Sequence, residues 1–137
     1  MCLAVYLASS VEVPAHLRGH RDAPAFYLEP AEPNAKVRRQ FAVPHVYYAG
    51  SHTGCGCGFR GHGDDGEDDE DRALTHANYV ALGQCIRAAQ AEGATIELFS
   101  CWEGGQAKNP RFSETRSVGG IEDPAFTFGE GHFIRVE

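Results

Sequence analysis

A chain of 137 residues with 42% apolar content is long enough to bury a core without disulfide or metal staples, and is expected to form a single domain over 1–137. Its formal charge of −7 has one source. Asp64, Asp65, Glu67, Asp68, Asp69, Glu70 and Asp71 crowd into eight residues, and the other twelve acids match the twelve Lys and Arg. No basic face is left for a nucleic-acid partner, and no apolar run approaches the ~18 residues of a membrane span.

"CLAVYLA" alternates Leu3, Val5 and Leu7 against Ala4, Tyr6 and Ala8, the period of a strand. "MCLAVYLASSVEVP" carries no basic leader, so the expected setting is cytoplasmic, with the odd count of five cysteines reduced. Pro14 and Gly19 break the chain into a loop, and "AFYLE" (25–29) reads as a second strand ended by Pro30 and Pro33. "NAKVRRQF" suits a short helix or turn with Asn34 as a cap. After Pro44, "HVYYAG" is β-prone and runs straight into the glycine-rich stretch "GSHTGCGCGF".

The acidic loop expected at 60–71 repels itself and is most simply solvated, exposed and dispensable for the fold. It lacks the ligand alternation and distal Glu of a calcium loop. Its last acids also suit the positive end of a helix starting around Asp69 to Arg72. Thr75, Asn78, Tyr79, Leu82, Cys85, Ile86 and Ala89 then fall on one helical face, and Gly93 supplies the stop. "ATIELFSCW" resumes a strand. The stretch "EGGQAKNPRFSETRSVGG" reads as loop, and "AFTF" with "HFIRV" reads as a hairpin across "GEG".

The expected fold class is therefore α+β: a mixed sheet with one central strand-helix-strand crossover and a C-terminal hairpin. A small doubly wound α/β domain is the runner-up, short of helices to cover both sheet faces.

Loops leaving the carboxyl ends of both crossover strands share one sheet edge, where ligands collect in open α/β structures. The first loop carries His52, Cys55 and Cys57; the second strand ends in Cys101, Trp102 and Glu103. If the first strand runs antiparallel, Cys2 begins at the same edge, and His132 is placed there by the same logic. "PHVYYAGSHTGCGCGF" and "IELFSCWEG" resemble segments of an uncharacterised family of small bacterial proteins. The resemblance spans the first strand, the thiol loop and the strand ending in Cys-Trp. It implies that these segments belong together and brings no activity, ligand or catalytic residue with it.

Three readings of the thiol loop stay open. The first is a metal site in which Cys55, Cys57, Cys101 and His52 hold Zn²⁺, or fewer thiolates hold Cu(I). No paired C-x-x-C supports it; an iron–sulfur cluster usually takes four cysteines, and Cys85 belongs to the helix core. The second is thiol chemistry. Cys55 or Cys57 would be the nucleophile, activated by backbone N–H groups and by His52 or His132. His52, Trp102 and Glu103 would then line a binding pocket.

The third reading is a non-catalytic structural or partner-binding domain whose loop cysteines are only packed. Removal of Met1 would also pair the Cys2 thiol with its own α-amino group. The following "LAVYLA", however, departs from the start of N-terminal-nucleophile amidotransferases.

Overall fold

The computed structural model describes residues 2–20, 22, 25–60 and 69–137. The acidic stretch expected as a loop at 60–71 lies outside them except for Arg60 and its last three acids. Asp69, Glu70 and Asp71 form the first turn of the long helix, where carboxylates meet the partial positive charge of the free N–H groups.

Six strands form one sheet: β1 (Leu3–Ser9), β2 (Tyr27–Pro30), β3 (His45–Gly50), β4 (Ile96–Trp102), β5 (Phe112–Arg116) and β6 (His132–Val136). They lie in the order β2-β3-β1-β4-β6-β5. Two helices, α1 (Asp69–Ala91) and α2 (Val118–Glu122), complete an α+β architecture with a mixed sheet. None of the described helices is long and apolar enough to cross a membrane.

The crossover β3–α1–β4 forms as the alternation predicts, with β1 inserted between its strands and antiparallel to both. β3 and β4 thus point the same way. Their carboxyl ends flank the start of β1, where Leu3 faces Trp102 and Val5 faces Ala49.

Strand alternation sorts the side chains into two cores. Leu3, Val5, Leu7, Ile96, Leu98 and Ile134 pack with Tyr79, Leu82, Cys85 and Ile86 of α1. On the opposite face Ala4, Tyr6, Ala8, Val46, Phe99 and Cys101 pack with Val37, from the short 3-10 helix Lys36–Gln40. This is the short helix or turn read in "NAKVRRQF", although Asn34 does not cap it; Ala35 stands at the N-cap without a side-chain bond.

The C-terminal third corrects the sequence expectation. "AFTF" forms no strand and makes no hairpin with "HFIRV"; β6 pairs instead with β5, in parallel, from the stretch read as loop. The reason is burial. Phe126 and Phe128 are buried in an aromatic group with Tyr79 and Phe59, ring centroids 5.2–5.8 Å apart. A strand would have turned both away from that cluster or both into one sheet face.

His132, at the start of β6, is buried between the rings of Phe112 (centroids 4.2 Å apart) and Phe126 (5.9 Å). Its Nε2 lies 2.6 Å from Glu114 Oε2, and Nδ1 meets no hydrogen-bond partner among the described residues. Burial lowers the imidazole pKa and outweighs the opposing pull of Glu114. Glu114 is drawn below the usual carboxylate range, against its own burial, by His132 and Arg116.

Both shifts have the same consequence for stability. As pH falls, the unfolded chain takes up these protons before the folded one does, so stability present at neutral pH is lost on acidification. We expect a falling melting temperature from about pH 7 to 5, with a shallower slope in His132→Gln. A slope unchanged by that substitution would remove His132 from the account.

Candidate functional site

β3 ends at Gly50, and the next eight residues fold back over the start of β1. Buried Ser51 closes this loop: its N–H donates to Cys55 O at 3.0 Å, and its Oγ accepts from Gly58 N–H at 3.1 Å. Gly54 turns the chain at φ +87°, a conformation open to glycine and strained for other residues. A single 3-10 turn, Gly56–Phe59, follows.

Gly56 touches the sheet. A Cβ built on it would lie 2.4 Å from Leu3 O and 3.1 Å from Val5 N, so only glycine lets this backbone rest on β1. Tyrosines hold the loop from the other side: Gly56 N–H donates to Tyr48 Oη at 3.2 Å, and Tyr27 Oη donates to Gly54 O at 2.8 Å.

The consequence is a cluster of three thiols. The sulfurs of Cys2, Cys55 and Cys57 all lie within 4.8 Å of one another, the one group of at least three metal-ligand side chains this close among the described residues. Cys2 is exposed and Cys55 and Cys57 half-buried. Cys2 is held at this edge through its carbonyl, which accepts from Glu103 N–H at 2.9 Å.

A backbone donor aims at one of the sulfurs: Cys57 N–H lies 3.5 Å from Cys55 Sγ. Burial opposes a charge on Cys55, but the Cys57 N–H, the Thr53 hydroxyl and the thiols of Cys57 and Cys2 together outweigh it, and its pKa falls. Cys57 shows the reverse. Burial, reinforced by its neighbour thiols, pushes it up to about 11.

The other residues placed at the site by sequence sit as follows. Cys101 is on the correct edge but points to the second core, buried among Ala4, Tyr6 and Phe99, and burial with Glu103 and Glu130 pushes its thiol up to about 11. It is not one of the three clustered thiols. Nor is His52, which turns toward α1: its N–H donates to Asn78 Oδ1 at 3.3 Å and its Nδ1 lies 2.9 Å from Asn78 Nδ2.

Trp102 is half-buried against the main core, with the Arg60 guanidinium 4.6 Å over its ring. Glu103 is exposed and accepts from Gln106 Nε2 at 2.8 Å. His132 reaches the same edge, opposite Ser100, but is committed to Glu114. Packing among apolar side chains describes Cys85 and Cys101, both buried.

Beside the thiol loop, on the sheet face away from α1, opens a pocket of about 620 Å³. Tyr6, Tyr27, Tyr48 and Gly54 line it, and none of the three thiols is in its wall. His52, Trp102 and Glu103, expected to line a pocket at this edge, are not in its wall either.

Sequence reasoning passed over Ser51, Asn78 and the tyrosine hydroxyls that hold the loop. A polar residue directly after a buried strand, and an amide on the apolar face of a helix, were the available signals. Comparison of the chain with protein-family models, with curated proteins and with solved structures finds no match.

Proposed function

We propose that the protein binds one thiophilic metal ion, Zn²⁺ or Cu(I), through Cys2, Cys55 and Cys57. The observation that carries this reading is the mutual approach of three sulfurs from two distant segments within 4.8 Å. Three thiolates gathered so closely repel one another unless a cation sits among them, and soft thiolate donors select Zn²⁺ and Cu(I) over hard ions. The Cys57 N–H directed at the Cys55 sulfur does for a thiolate what supporting hydrogen bonds do in metal sites generally: it fixes orientation and stabilises the anionic ligand. Three protein ligands leave Zn²⁺ a fourth position for an external donor, whereas Cu(I) is satisfied by the sulfurs alone.

Titration with each metal, under reducing conditions for Cu(I), tests the reading. Binding of about one equivalent should protect Cys2, Cys55 and Cys57 from alkylation and leave the labelling of Cys85 and Cys101 unchanged. Equal labelling of all five thiols with and without metal would sink it.

The split between Cys55 and Cys57 favours a second reading, in which Cys55 is a thiolate nucleophile beside the proton-bearing thiol of Cys57. In metal-free protein at neutral pH, Cys55 should then react with iodoacetamide before Cys2 and well before Cys57. Faster labelling of exposed Cys2 would show that access, not acidity, sets the order.

A further inference from the structure

We infer that the tyrosine-lined pocket binds a small organic cation, an alkylammonium compound, independently of the thiol site. The pocket sits where β1, β2 and β3 meet the Lys36–Gln40 3-10 helix. Glu29, Tyr48 and Tyr6 are directly opposite one another on adjacent strands, forming one row across the sheet. Tyr27 lies across Gly50; a Cβ there would be 2.0 Å from its ring, so glycine makes room for the aromatic wall.

The rings differ in orientation. Tyr6 and Tyr48 meet edge-to-face with centroids 5.6 Å apart, and Tyr27 is tilted 47° from Tyr48 at 6.4 Å. Three electron-rich rings around one cavity form a setting in which a cation gains from ring quadrupoles on several sides.

The charges agree. Glu32 stands in the wall with Lys36, and Glu103 lies close enough to raise the pKa of Tyr6 and Tyr48. Burial, the largest influence on both phenols, keeps them protonated and the rings neutral. A volume of about 620 Å³ is in the range of small-molecule pockets, larger than a single side chain needs.

The experiment is calorimetric titration with benzyltrimethylammonium and with its uncharged tert-butyl isostere. The charged probe should bind about tenfold more tightly, since a cation in a desolvated site is attracted by the ring faces around it. Tyr48→Phe should retain binding and Tyr48→Leu should weaken it about tenfold. Exposed Lys36→Ala, which does not threaten the fold, should tighten it, and Glu32→Gln should weaken it. Equal affinity for the two probes would overturn the inference in favour of a merely apolar pocket. Weaker binding in Lys36→Ala would overturn it in favour of an anion site.

Discussion

Cys2→Ser should lower the affinity for Zn²⁺ and Cu(I) by at least about 100-fold, more than the ~10–100-fold that losing a supporting hydrogen bond costs a metal site. The hydroxyl that replaces the thiol stays protonated at neutral pH and is a poor partner for a soft ion. Removal of one sulfur also leaves two ligands from a single C-x-C segment, with nothing from the residue preceding β1 to close the site.

Cys2 is exposed and its side chain supports no core, so thermal stability without metal should change little. Cys101→Ser supplies the contrast. Its thiol lies in the second core, and a hydroxyl buried there without a partner costs about 1–3 kcal/mol. Metal affinity should survive that substitution. A Cys101→Ser protein that folds normally but loses metal would return Cys101 to the ligand set and displace Cys2.

Gly56→Ala should destabilise the protein strongly for a single added methyl. The added carbon would press on the carbonyl of Leu3 and the amide of Val5, both backbone atoms of a central strand hydrogen-bonded on its two sides. Neither can swing aside as a side-chain end would. The loop must lift from the sheet, breaking the Tyr48 and Leu3 contacts, or the strand must distort.

Overpacking of this kind costs roughly 1–3 kcal/mol, and the upper end applies where only backbone can yield. The melting temperature should fall by about 5–10 °C or more. Metal affinity should fall with it, because the same lift separates Cys55 and Cys57 from Cys2. Gly54→Ala offers a comparison: no atom lies within 4 Å of its Cβ, so its cost is the strain of φ +87° alone, about 1 kcal/mol.

What the sequence disclosed, and what it hid, follows from how local each determinant is. Alternation in "CLAVYLA" and "HVYYAG" and the helical face from Asn78 to Ala89 are local patterns, and β1, β3 and α1 form accordingly. Their order places the ends of β3 and β4 on one edge, and Cys2 with them. The strand β5 was hidden because its residues, "FSETR", are polar after Phe112 and half or fully exposed at the sheet edge, so no apolar period marks them.

The hairpin failed for the opposite reason: Phe126 and Phe128 have strand-like spacing but fill an aromatic cluster built by residues remote in sequence. At the site, Cys101 was placed by proximity along the strand, yet strand pleat decides the face. One residue of register separates Trp102, packed against the main core, from Cys101 in the second. His52 looked like a ligand beside two thiols, and only the fold shows Asn78 of α1 occupying its ring nitrogen.

X-ray absorption at the metal edge of the loaded protein tests the central claim most directly, because it counts and identifies the ligand atoms. Three sulfur neighbours should appear, at about 2.3 Å for Zn²⁺. One should be lost in Cys2→Ser and none in Cys101→Ser or His52→Ala. A spectrum with an imidazole nitrogen that vanishes in His52→Ala, or with a sulfur that vanishes in Cys101→Ser, would contradict the three-thiol site formed by Cys2, Cys55 and Cys57.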